Sequence, residues 1–394
     1  MITMSDDFAG ALRALMGQRD ISQRALAARV PCDRAYVCRL ANGKQRPSRR
    51  MAAVLDEVLG AGGALAALGV PPLFNGETGP EGRELLAWAV QNPRRIDAVA
   101  VESLAAVLSA QRRAEDSLGS AEVLRPVLAQ LKAIGDLVTE SRGPVRPALV
   151  HIAGQWAQFA GWLHTNTGSP AHGDASLSKA LLWAVEAGEP DLISEVLSFQ
   201  GHAAWVAGQP GPAAGLSRAA QRGPGVYPGQ LAISAAQEAK GLAMMRDSVD
   251  VDRLLDEADE QAAAAEERPE DSPPWLYYHS PGFFALQRGL AYSYLADQPA
   301  YRARAIAALE TGHAKLPDGE KQSEWAAEYL CYLADLRALG GDVEQATAAA
   351  MQAATVARRA RSVRLLRMLA QVCARLAARW PSDPGVAELA GVLR

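Results

Sequence analysis

Five times between residues 161 and 353 the chain repeats a triplet of mostly small residues at offsets of 12 and then 7. The members are Gly161, Gly173 and Ala180; Gly201, Ala213 and Ala220; Ala239, Val251 and Ala258; Gly289, Tyr301 and Ala308; and Ala334, Ala346 and Ala353. Chain breakers stand between first and second members at Gly208-Gln-Pro-Gly, Asp297-Gln-Pro and Gly340-Gly-Asp. Small residues let two helix backbones approach closely, and a breaker reverses the chain. Each triplet therefore predicts a helix, a tight turn and an antiparallel second helix. Alanine, the best helix former, fills 78 of the 394 positions. With no β-branched runs set against it, the expected fold class is all-α.

A chain of this length exceeds the roughly 100–200 residues of one domain, so at least two folding units are expected. Charge says where they divide. Residues 1–70 carry ten Arg or Lys against six Asp or Glu, a balance of +4, while the remaining 324 carry 30 against 38, a balance of -8. Between Arg34 and Leu55 stand six basic residues and no acidic one. A small basic unit joined to a larger acidic one suits a head that binds a polyanion on a body that does not.

Within the head, apolar residues fall into short groups at helical spacing: Phe8, Leu12 and Leu15; Leu26, Ala27 and Val30; Val37 and Leu40; Met51, Val54, Leu55 and Val58. Ser22 and Asp33 stand where they can cap the second and third helices, Asn42-Gly43 closes the third, and Pro47 restarts the chain. Two short helices joined by a turn make a helix-turn-helix, whose second helix enters the major groove.

The stretch from Ile21 to Ser48 resembles the helix-turn-helix of the phage repressor and Cro family, also called Xre-type. Ala27 matches the family's small residue in the first helix, Val37 and Leu40 its buried aliphatics, and Asn42-Gly-Lys44 with Pro47-Ser48 its closing motif. The resemblance covers about 55 residues and implies a five-helix, lambda-repressor-like domain over 1–70 that binds double-stranded DNA, normally as a homodimer. Two positions depart from the pattern: Pro31 replaces the turn glycine, and Ala41 replaces the acidic residue before Asn-Gly. Carried over position by position, the base-reading residues are Arg34, Ala35, Cys38 and Arg39, since arginine grips guanine with two hydrogen bonds. Gln23, Asn42, Lys44, Arg46, Arg49 and Arg50 are the expected phosphate contacts.

Breaker-rich residues 71–82 read as a linker, 83–143 as a helical connector, and 144–394 as the repeat domain. The triplet offsets resemble those of the tetratricopeptide repeat, which implies a solenoid of helical hairpins whose first helices line a concave wall. On that register Gln155, Gln158, Trp162, His202, Trp205, Lys240, Phe283, Glu328 and Asp335 reach the groove. Aromatic rings mixed with a few polar groups suit a peptide or small-molecule effector. The loop from Asp271 to Pro281, with Trp275, Tyr277, Tyr278 and His279, is long for a repeat connection and reads as a lid. The basic stretch Arg358–Arg379 is expected to pair with DNA or with the acidic region Asp247–Asp271.

No phosphate loop, Gly-x-Ser-x-Gly, His-Glu-x-x-His or dinucleotide fingerprint occurs, so no enzyme activity and no cofactor are expected. Cys32, Cys38, Cys331 and Cys373 have neither disulfide nor zinc spacing, and His164 with His172 lacks a third ligand, so no metal is expected. The absence of a long apolar run, together with acidic Asp6 and Asp7, points to a cytoplasmic protein, on the nucleoid when bound to DNA. The function these features imply is transcriptional regulation, with the body binding an effector or pairing two subunits. The alternative is an interaction scaffold with a degenerate head.

Overall fold

The structure, a computed structural model, describes residues 8–30, 34–43, 47, 49–65 and 98–393. All of its regular elements are helical, and no strand occurs among the described residues.

In the head, α1 (Phe8–Gln18), α2 (Gln23–Ala27), α3 (Arg34–Ala41) and α4 (Arg49–Leu59) enclose one core of Phe8, Leu12, Leu26, Val37, Leu40, Leu55, Leu59 and Leu65. The Ser22 hydroxyl accepts the Ala25 N–H at 3.2 Å and so starts α2. Gly43 takes a φ of +68°, the left-handed conformation expected at the end of α3. The buried Asp56 carboxylate accepts the N–H groups of Gly63 and Leu65 at 2.7 and 2.8 Å. It thereby folds the chain after α4 back onto the core. Pro31, Cys32, Asp33, Lys44, Arg46, Ser48 and the 71–82 linker lie outside the described residues.

The body begins with α5 (Ala98–Leu118) and α6 (Ser120–Glu140), followed by α7 (Arg146–Asn166), α8 (Pro170–Ala187), α9 (Pro190–Val206) and α10 (Pro210–Ala220). It continues with α11 (Pro228–Met244), α12 (Val249–Glu266), α13 (Pro281–Ser293), α14 (Pro299–Lys315), the short α15 (Asp318–Lys321), α16 (Glu324–Gly340), α17 (Val343–Arg359), α18 (Val363–Arg379) and α19 (Pro384–Val392). Proline opens α8, α9, α10, α11, α13, α14 and α19, where its missing N–H leaves no partner wanting. Each such proline stops the preceding helix from running on, and the body pairs as hairpins: α7 with α8, α9 with α10, α11 with α12, α13 with α14, and α16 with α17, the second helices α12 and α17 opening at valine instead.

Close backbone contact is what the triplets supply. A Cβ added at Gly201 would lie 3.2 Å from the Ala213 carbonyl oxygen and 2.6 Å from the Ser217 hydroxyl. Gly161 faces Gly173 in the same way, and Ala239, Val251, Ala258, Ala334, Ala346 and Ala353 are all buried. The fourth triplet is corrected. Tyr301 and Ala308 are only half-buried, whereas Ala305 is fully buried and a Cβ at Gly312 would fall 2.8 Å from the Gly282 carbonyl oxygen. The close-contact set is therefore Gly289, Ala305 and Gly312, one helical turn later. The connection from Tyr294 to Gln298 is longer than the Thr167–Ser169 connection, so α14 meets its partner late.

The helices read as a connector are part of the body. Leu104 and Leu108 of α5 and Val127 and Ile134 of α6 share one core with Trp156 and Leu163 of α7 and Leu177 of α8. This first hairpin also reaches the far end of the chain. The Ser120 N–H donates to Glu324 at 3.1 Å across 204 positions, and Arg361 pairs with Glu122 at 3.2 Å. The arginines of 358–379 that find partners find them on neighbouring helices and not in the acidic region. Arg364 pairs with Glu328 and Arg375 with Asp335, while Arg379 donates to the Ala338 carbonyl. Three acids of 247–271 have other partners: Asp252 takes Arg304, and Asp256 and Asp259 take Arg288.

Candidate nucleic-acid interface and body cavity

Helix α3 has two faces. Val37 and Leu40 are fully buried, while Arg39 is exposed and Cys38 half-buried. The Arg39 guanidinium lies 5.8 Å from the centre of the Tyr36 ring, which braces it along the helix. Asn42, exposed just beyond the helix, donates its amide N–H to the Cys38 sulfur at 3.2 Å. Arg34 and Ala35 open α3, and Arg49 and Arg50 open α4; their side chains lie outside the described residues. Gln23 is the first residue of α2 and is half-buried.

The departure at Ala41 has a structural counterpart. Ala41 is buried, and its carbonyl accepts a hydrogen bond from the Arg13 guanidinium of α1. A cation placed on the last carbonyls of a helix satisfies them and complements the helix dipole. Arg13 thus ties down the end of α3 without help from an acidic side chain at 41.

In the body, the first helix of each hairpin turns one face inward, and the inner residues recur at i and i+4: Gln158 and Trp162 on α7, Glu195 and Phe199 on α9, Ile233 and Gln237 on α11, Phe283 and Gln287 on α13, Trp325 and Tyr329 on α16. Together with His202 and Glu328 they surround a cavity of about 100 Å³. Helix α5 contributes Arg112, Glu115 and Asp116 to the wall, and the loop between α12 and α13 contributes Trp275, Tyr277 and Tyr278. The loop is fastened to α5, since the Tyr277 hydroxyl donates to Asp116 at 2.8 Å. Trp325 donates to the other Asp116 oxygen at 3.2 Å, and Trp162 donates to Glu115 at 3.3 Å.

Of the nine groove residues expected from sequence, Gln158, Trp162, His202, Phe283 and Glu328 line this cavity. The other four do not. Gln155 accepts from Arg112 at 3.3 Å behind the wall. Trp205 donates to the Tyr294 hydroxyl at 2.6 Å, and Lys240 sits 3.9 Å over the Trp205 ring. Asp335 is tied to Arg375 at 3.0 Å. Missing from the expectation were Arg112, Glu115, Asp116, Glu195, Gln237 and Gln287. The signal for them was a row of polar residues on helix faces otherwise filled by alanine and aliphatics.

Burial governs the titration of this wall. It pushes Glu115 up to about 8, with the like charge of Asp116 adding to the effect and hydrogen bonds from Ser120 and Trp162 opposing it. Burial also raises Glu195 to about 8 against the pull of Arg112, lowers Arg112 to about 10 and Lys240 to about 7, and drives His202 well below its ordinary range. A carboxyl raised in the folded state stabilises it below the unfolded value of 4.5, and that contribution is lost as pH rises toward 8. Glu115→Gln, which mimics the protonated side chain, should therefore gain stability relative to the parent as pH climbs from 5 to 8. Urea midpoints of both chains at three pH values test this; a gap that stays constant would refute it.

Residues 7–68 match the family model of a helix-turn-helix domain, which agrees with the geometry of α2 and α3 and with DNA as the partner of the head. No curated protein matches the chain. Among the described residues no helix is long and apolar enough to cross a membrane.

Proposed function

We propose that this chain is a sequence-specific transcription regulator in which α3 reads the major groove and the body cavity receives an effector. The observation that carries the reading is the exposed Arg39 on a helix whose opposite face, Val37 and Leu40, is locked into the head core. Arg13 on the Ala41 carbonyl supports a recognition helix kept in working order, which favours a regulator over a scaffold with a degenerate head. A single helix-turn-helix makes too small an interface for high specificity, so the working form is a homodimer on a two-fold site. An effector acts by binding one dimer geometry better than another and so changing the spacing of the two heads.

Selection of binding sites from random DNA by the full chain, followed by footprinting, tests this. The expected result is one motif with two symmetric half-sites spaced by about 10 bp, bound roughly a thousandfold more tightly than unrelated DNA. Failure to enrich any motif would refute the reading.

A further inference from the structure

The chemistry of the cavity wall selects among effectors. Its charged lining is Glu115, Asp116, Glu195 and Glu328 against a single Arg112. Glu328 is committed to Arg364, and Glu195 lies in the field of Arg112. Glu115 is 4% exposed, and the groups acting on it are two further acids and two neutral donors, with no cation among them. Two more acceptors face the same space. Gln237 and Gln287 are 5% and 6% exposed, each spends its amide N–H on a hydroxyl, and each leaves its carbonyl oxygen without a partner among the described residues. Buried acceptors left unpaired are costly, and a cation set beside them answers their partial negative charge.

The remaining wall is aromatic. Ring faces carry partial negative charge and hold cations by electrostatic attraction, most strongly when water is excluded. Trp162 and Trp325 are placed beside the two α5 acids by their own N–H bonds to Glu115 and Asp116; the one cation acting on Asp116 is Arg113, which is not part of the cavity lining. Rings and carboxylates from α5, α7 and α16 thus line the same cavity. A 150 Å³ apolar cavity holds a benzene molecule, so a cavity of about 100 Å³ admits a compact headgroup and no more.

We propose that the body cavity is a receptor site for a small organic cation, an alkylammonium headgroup, held by Glu115 and Asp116 and enclosed by Trp162 and Trp325. The proposal rests on the reading of this cavity as the effector site and gives that effector its chemical class. Charge complementarity distinguishes it from an apolar or anionic ligand. Arg112, the one cation in the wall, already faces Glu195 and Gln155.

The test titrates the full chain with choline, with its neutral isostere 3,3-dimethylbutan-1-ol and with the anion 3,3-dimethylbutanoate. Binding is read by calorimetry and by the fluorescence of the cavity tryptophans, and DNA affinity is measured in parallel. The expected result is saturable binding of choline, roughly tenfold or more tighter than of the neutral isostere. Measured above the value of about 8 to which burial raises Glu115, where that carboxyl is ionised, Glu115→Gln and Asp116→Asn, each close in shape to the parent side chain, should each weaken choline binding without affecting the neutral compound; circular dichroism confirms the fold. Equal or tighter binding of the neutral or anionic isostere would overturn the cationic class while leaving an effector site standing. Binding of none of the three overturns the proposal. Choline binding that leaves DNA affinity unchanged upholds the cation site and refutes its role as an effector site.

Discussion

Arg39→Ala in the full chain should weaken binding to the selected DNA site by roughly 10- to 100-fold, the cost of one bidentate arginine–guanine contact. Affinity for unrelated DNA should change far less. Arg39 is exposed on α3, and the residues that fix that helix, Val37, Leu40 and the Arg13–Ala41 tie, lie on its other side or at its end. Removing the guanidinium is expected to cost the proposed base contact while the core contacts of Val37 and Leu40 remain. Asn42→Ala is the companion variant. A phosphate contact carries no sequence information, so its loss should weaken specific and unrelated DNA alike. Gel-shift titrations on both DNAs at two salt concentrations separate the two behaviours. Equal losses on both DNAs for Arg39→Ala would make Arg39 a phosphate contact and shift sequence reading to another residue of α3.

Arg364→Met should destabilise the body by about 3–5 kcal/mol, the cost of stranding one partner of a buried ion pair. The side chains of Arg364 and Glu328 are only 13% and 7% exposed, and the pair joins α18 to α16 on the inner side of the solenoid. With the guanidinium gone, the Glu328 carboxylate loses its hydrogen-bonded partner and keeps only the field of the buried Lys240, whose own charge burial disfavours. The double variant Glu328→Leu with Arg364→Met removes both charges and should recover most of the loss, because apolar replacement of a buried pair is often nearly neutral. Urea midpoints for the parent, the two single variants and the double variant close the cycle. A double variant less stable than Arg364→Met would show that the two side chains do not act as a pair.

Local chemistry was the part of the fold that could be read in advance. Ser22 and Asn42-Gly43 act within a few residues of themselves, and the triplets at 161, 201, 239 and 334 depend on a helix and its immediate return. The fourth triplet slipped by a turn because connection length decides where a returning helix begins to touch, and alanine is frequent enough to offer a false match at 308. Helix α5 could not be placed for a different reason. Its partners lie up to about 200 positions away, so Arg112, Glu115 and Asp116 look like an ordinary polar face until α7, α9 and α16 close over them. Within the wall, Trp162 and His202 lie on the inner face, while Trp205, one turn from His202, is spent on Tyr294 and Lys240. One helical turn separates a groove residue from a packing residue, and sequence spacing alone does not resolve it.

The bond between Ser120 and Glu324, with the Arg361–Glu122 pair beside it, also sets an order of assembly. The described core of the head draws on residues up to Leu65, whereas the first body hairpin finds its last partners only after residue 361 has left the ribosome. During synthesis the helices of the head emerge while the chamber of the body is still open, with its acids and rings exposed to solvent. Truncating the far end would undo the wall at its beginning as well as at its end. An open solenoid would simply lose its last repeat; here the far end also holds the first hairpin, through Glu324 and Arg361.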